Sequence, residues 1–153
     1  MDSLSDAQTR RVFLKLTAAG AIALATAGTA FANAADVETI IQKMTSGKKP
    51  TEGRITLDLP TIAENGLVVP LGFDVQSPMT ESDYVKSVHI FAESNPNVQV
   101  ADYTFTPLCP KAAIQVRMRL AQTQRVTALA IMSNGDAYIA RKEVKVTIGG
   151  CGG

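Results

Sequence analysis

Hydrophobic positions along this chain pass through three rhythms. An apolar, Ala-rich run ends at Ala32, a short stretch then repeats at helical spacing, and from Arg54 onward apolar and polar residues alternate. In the helical stretch, Val37, Ile40, Ile41 and Met44 fall on one face, with Asp36 and Glu38 near its start. A helix is therefore predicted over Asp36–Met44, stopped by Gly47 and Pro50, and its role is packing. The alternating part begins with Ile55, Leu57 and Leu59, which Pro60 ends. Asn65-Gly66 marks a turn, and a strand is predicted from Leu67 to Val75. Pro70 and Gly72 within it suggest an edge position or a bulge.

Pro78 to Asp83 reads as a loop, and Val85 to Ala92 as the next strand, closed by Asn95-Pro96-Asn97. Strands over Val98–Thr106 and Ala113–Ala121 follow, split by a Pro107–Pro110 break that contains Cys109. In the second of these, Arg117 and Arg119 share one face, and Val116, Met118 and Leu120 share the other. Arg125–Met132 is predicted to form a hairpin with Ala137–Ile148 across Ser133-Asn134-Gly135-Asp136, where Asn-Gly favours a tight turn. Strands in close succession, without helices between them, predict an all-β antiparallel sandwich over residues 35–148, led by the single short helix.

The chain then stops on Gly149-Gly150-Cys151-Gly152-Gly153. Glycine visits both halves of backbone space, so five residues of this composition predict a flexible arm with no preferred fold. Extended, they reach roughly 16 Å. That is enough to carry one sulfur atom into another protein's active site. Prenylation is excluded, because it needs the cysteine fourth from the end. A disulfide to Cys109, the only other cysteine, stays open as an alternative, as does an ordinary frayed end.

The N-terminus reads as an address. Thr9-Arg10-Arg11-Val12-Phe13-Leu14-Lys15 has the twin-arginine export pattern, and small-residue cleavage sites follow at Ala30-Phe31-Ala32 or Ala32-Asn33-Ala34. Residues 1–32 are expected to be removed, with cleavage as late as residue 34 allowed. Of 15 basic and 14 acidic residues in the chain, this leader holds Arg10, Arg11 and Lys15 against Asp2 and Asp6. The remainder is formally neutral and offers no basic field to nucleic acid or an anionic membrane. An exported thiol also meets an oxidising compartment.

Little else in the sequence points to chemistry. His89 is the only histidine, and no CxxC or HxxxH spacing exists, so no metal site and no cofactor are expected. His89 reads as a surface or packing residue, and Met79, Met118 and Met132 as core filler. No Ser/His/Asp or Cys/His pairing can be assigned, and no Gly-rich loop opens a helix. Arg117 and Arg119 read as a solvated face or a partner contact. The domain is thus read as no enzyme. Cys151 would be a seat for cargo, with a thiol pKa near the free value of about 8.5 and activation supplied by a partner. Sulfur suits such a seat, because persulfide and thiosulfonate bonds form and break by exchange.

With these residues in hand, the chain resembles the SoxY family, the sulfur-carrying subunit of the bacterial thiosulfate-oxidising (Sox) system. The resemblance rests on the twin-arginine leader, Glu64-Asn65-Gly66 with Val69-Pro70, Val85 to Glu93 followed by Asn95-Pro96, and Arg117 to Gln124. Above all it rests on the closing Lys142 to Gly153. It implies an immunoglobulin-like sandwich paired with SoxZ in a heterodimer in the periplasm. It also implies that Cys151 carries sulfur covalently, on an arm formed by Gly149, Gly150, Gly152 and Gly153. The implied visitors are the haem cytochrome SoxAX, the metal-dependent hydrolase SoxB and, where present, the sulfane dehydrogenase SoxCD. Cys109 departs from the single cysteine such carriers typically have. Three rivals remain: a secreted structural sandwich whose Cys151 pairs with Cys109 or with another chain, a ubiquitin-like carrier ending in Gly-Gly, whose cytoplasmic adenylation chemistry the leader contradicts, and an enzyme, for which the sequence offers no machinery.

Overall fold

The computed structural model describes residues 34–147. Helix α1 spans Ala34–Met44, with Asp36 in its first turn and Lys43 in its last, both complementary to the helix dipole. Its end is closed by Ser46 N–H to the Lys43 carbonyl and Gly47 N–H to the Gln42 carbonyl. Ser46 (φ 53°) takes the left-handed position that ends the helix, and Gly47 (φ 80°) continues the turn.

Nine strands follow: β1 Thr51–Glu52, β2 Ile55–Asp58, β3 Ile62–Ala63, β4 Val69–Val75, β5 Val85–Ala92, β6 Gln99–Thr104, β7 Ala112–Met118, β8 Gln124–Met132 and β9 Ala137–Val146. The larger sheet runs β1-β9-β8-β5-β6, with β3 also on β9, and the smaller runs β2-β4-β7. Between them lies the main core. Val69, Leu71, Phe73 and Val75 of β4 meet Val88 and Ile90 of β5 and Val126, Ala128, Ala130 and Met132 of β8. Met79 and Met118 belong to this core, as expected of core filler.

A second apolar cluster covers the other face of the larger sheet. Val37 and Ile41 of α1 pack there with Phe91, Val98, Leu129, Ala137 and Ile139. Strand β8 serves both clusters, which is why Val126–Met132 is almost uniformly apolar: alternate side chains enter opposite cores. The β8–β9 hairpin closes as the Asn-Gly pair predicts. Gly135 sits at φ 83°, and Asp136 N–H donates to Asn134 Oδ1 at 2.9 Å.

Three expectations are corrected. The sandwich is not wholly antiparallel, since β1 and β3 both pair parallel to β9. Between them the chain crosses to the other sheet as β2, so it meets β9 twice in one direction. Leu67 and Val68 are not strand. Leu67 N–H donates to Asn65 Oδ1 at 2.9 Å, which folds them into the turn. Finally, β4 is the central strand of its sheet and carries no bulge. Pro70 is tolerated because β2 reaches only from Val75 to Gly72 along β4, leaving Pro70 with β7 as its one neighbour. Gly72 fits closely here, because a Cβ there would lie 3.3 Å from Asp58 Cβ, a tight contact between the paired strands.

Candidate functional site

Cys151, with Gly149, Gly150, Gly152 and Gly153, lies outside the described residues, as do Arg10 and Arg11. The site is therefore defined by the place where β9 ends and by what holds it. Lys145 and Thr147 N–H groups donate to the carbonyls of Thr61 and Ala63, each at 3.0 Å. On the opposite side, Val146 N–H donates to Thr123 Oγ1 at 3.0 Å, and the Thr123 hydroxyl also reaches the Val146 carbonyl at 3.4 Å. The last described turn of chain is thus gripped from both edges.

Gly66 packs against this exit. A Cβ on it would lie 2.4 Å from the Leu120 carbonyl oxygen and 2.9 Å from Val146 Cγ1, so only glycine lets the 65–68 turn close here. Leu120 N–H completes the contact by donating to the Gly66 carbonyl at 2.7 Å. Around the exit, Ile62, Leu67 and Val68 are each more than half exposed, forming an apolar rim. Asn95 braces the neighbouring loop: its side chain donates to the Arg119 carbonyl at 2.8 Å and accepts from Ala121 N–H and from Gln124 Nε2, each at 2.9 Å.

Arg117 is exposed on the outward face of β7, as the alternation predicts, and Arg119 just beyond the strand is exposed as well. Arg117 and Asp58 line a shallow trough of about 860 Å³ across the smaller sheet, floored by Pro70 and Gly72. Cys109 is half-buried at the opposite end of β7 from Leu120, with its sulfur 4.0 Å from Thr106 Oγ1. Among the described residues, no group of three or more His, Cys, Asp or Glu gathers as a metal site would require. No helix among them is long and apolar enough to cross a membrane.

The structure joins one set of residues that spacing left apart. Ser87 and His89 share a face of β5, and Asp102 stands opposite His89 on β6. Ser87 Oγ is 2.9 Å from His89 Nε2, and His89 Nδ1 is 2.6 Å from Asp102 Oδ1. Gln99 Nε2 donates to both Asp102 oxygens at 2.7 Å. Burial opposes ionisation of Asp102, but the hydrogen bonds from His89 and Gln99 and the His89 charge outweigh it and hold the carboxyl below its ordinary value. The expectation that no Ser/His/Asp pairing can be assigned is corrected here. A bulge hid it: pairing shifts between Ile90 and Phe91. Counting back from Phe91–Gln99 without the bulge sets Ala101 opposite His89.

Comparison with known proteins places these observations beside relatives. The family model described as "Sulfur oxidation protein SoxY" matches residues 41–151. The solved structure of the sulfur carrier protein SoxY from Chlorobium limicola f thiosulfatophilum is similar with a TM-score of 0.62 and 30% identity, covering 76% of this chain and 100% of that one. Superoxide reductase (neelaredoxin) from Ignicoccus hospitalis (TM-score 0.55, 14% identity, 80% of this chain and 99% of that one) shares the fold alone. So does a putative superoxide reductase from Thermotoga maritima, with a TM-score of 0.54 and 13% identity over 65% and 88% of the two chains. None of the curated proteins compared matches the chain.

Proposed function

Because the chain belongs to the SoxY family of sulfur oxidation proteins, we propose that it is a periplasmic carrier that holds thiosulfate-derived sulfur covalently on Cys151. The observation that carries this reading is the family match running through to residue 151, on a chain whose last strand is fastened along both edges just before it. A thiol offered beyond a firmly held strand suits delivery of cargo to one active site after another. The Gly149, Gly150, Gly152 and Gly153 frame supplies the conformational freedom that such delivery needs.

The chemistry balances with partners supplying what the carrier lacks. Oxidative conjugation joins the Cys151 sulfur to the outer sulfur of thiosulfate, and the two electrons released go to a haem cytochrome of the SoxAX kind. Water attack at the terminal sulfone, catalysed by a SoxB-type hydrolase, releases sulfate and leaves a persulfide. A sulfane dehydrogenase, SoxCD, would oxidise that remaining sulfur where it is present. SoxZ is the proposed heterodimer partner. The twin-arginine pair Arg10 and Arg11 supports export, and export as a folded complex would take SoxZ along.

The rival staple reading fits the geometry poorly. Strand β7 spans roughly 20 Å at about 3.3 Å per residue, with Cys109 beyond one end and the β9 exit at the other. Four residues from Thr147 to Cys151 span about 13 Å and a disulfide adds about 6 Å between Cα atoms, so a staple would need the whole arm drawn taut.

Intact mass without reductant, on protein from thiosulfate-grown cells, tests the proposal. Sulfur or sulfur-plus-sulfonate adducts on the C-terminal peptide, lost in Cys151→Ser, are expected. A species lighter by two hydrogens, with Cys109 joined to Cys151, would overturn it.

A further inference from the structure

The linked side chains on the outer face of β5 do not belong to the carrier reading, and they share no residue with it. An ionised carboxylate only accepts, so the hydrogen between His89 and Asp102 sits on Nδ1. In the neutral ring this leaves the Nε2 lone pair for the Ser87 hydroxyl, at 2.9 Å. Gln99, donating to both Asp102 oxygens, keeps that carboxylate from turning away. The His89 side chain is 15% exposed, shielded enough to stay in place and open enough to be reached. A hydroxyl, a base within hydrogen-bond reach of it and a third group orienting the base together activate an otherwise unreactive alcohol.

We propose that Ser87 is a nucleophile that accepts an acyl group from small activated esters, with His89 as its general base and Asp102 as the residue that positions the base. As Ser87 Oγ bonds to the acyl carbon, its proton passes to His89 Nε2. The bond from that carbon to the leaving oxygen breaks, and the leaving group departs with the electron pair. The ring then returns its proton to the leaving group or to water. No oxidant or reductant takes part.

The same strand limits the reaction. β5 lies between β6 and β8, so its backbone N–H groups are largely engaged in the two ladders, which shift only at the irregularity between Val85 and Ser87, and no preorganised oxyanion cradle is built into the strand. Thr104, directly across from Ser87 on β6, offers a hydroxyl on the same face but no backbone cradle. Only esters with good leaving groups should therefore react, and the acyl-serine should accumulate without turning over.

The test uses the full chain with its natural cysteines and p-nitrophenyl acetate as the probe, with acetyl groups located by peptide mapping. Ser87 is expected to acetylate about a hundredfold faster than in His89→Gln, the usual scale of general base catalysis. Within the parent chain it should outpace an exposed serine without a base, such as Ser46, by a similar factor. Ser87→Ala should lose this acetylation but keep a low-field Nδ1 proton resonance, which Asp102→Asn should lose. Thermal melts of each variant show whether it is folded. The proposal is overturned if Ser87 reacts no faster than Ser46 in the parent, or equally fast in folded His89→Gln. Retention of the resonance and the rate in Asp102→Asn would remove the positioning role.

Discussion

At the scale of single residues, two polar groups in the larger sheet have opposite fates. Thr127 is fully buried, and its hydroxyl has no hydrogen-bond partner. A buried hydroxyl left unpaired costs the desolvation it does not recover. Thr127→Val keeps the branched shape and removes that group, so it should stabilise the fold by about 1 kcal/mol, read as a higher urea midpoint with unchanged slope. Asp102 is the reverse case, a carboxyl whose folded pKa is depressed by His89 and Gln99 against the effect of burial. As pH falls, the unfolded chain takes up that proton first, near the ordinary value of about 3.9. The stability Asp102 contributes is complete above that value and is lost as pH falls through the folded one. The urea stabilities of the parent and Asp102→Asn should therefore begin to converge as pH falls towards the ordinary carboxyl value of about 3.9 and continue to converge below it.

Elements were legible wherever one rule decided them. The helix announced itself through Val37, Ile40, Ile41 and Met44, and the β8–β9 hairpin through Asn134-Gly135, because both rest on local spacing and turn chemistry. The two-residue strands β1 and β3 were invisible. Nothing in Thr51-Glu52 or Ile62-Ala63 forces a strand until β9 lies beside them. Pro70 misled for a related reason: whether a proline sits on a free edge depends on how far the neighbouring strand extends. At the candidate site, the exposure of Arg117 and Arg119 could be read directly, whereas the glycine-framed cysteine lies outside the described residues. The Ser87–His89–Asp102 contact could not, since one inserted residue on β6 changes which side chain faces His89. The helix earns its place by covering Phe91 of β5 and Leu129 of β8. Ile41→Ala should cost about 3 kcal/mol, measured by chemical denaturation, whereas Lys43→Ala on the exposed side should change little.

Across the whole molecule the two apolar clusters share a strand. Leu129 enters the helix-covered cluster, while its neighbours Ala128 and Ala130 enter the sandwich core. Neither cluster can be opened while β8 stays in place for the other, so residues 34–147 should unfold in one transition. Far-ultraviolet circular dichroism, which reports the sheets, and tyrosine fluorescence from Tyr84, Tyr103 and Tyr138 should give coincident urea curves. A helix that melts earlier would show as a separate first step.

Strand β9 is bordered by β8 along almost its whole length and by β1 and β3 near its two ends. Those hydrogen bonds run across the strand, at right angles to its axis on the β8 side. A partner that seizes the chain beyond Val146 and pulls along β9 therefore loads them side by side, in shear. They must break together, whereas a strand peeled from one end gives way bond by bond. In mechanical terms, the body of this protein is a mooring. Its last described strand is set in the direction that resists tugging best, so a pull on the end of the chain would not readily unravel what anchors it.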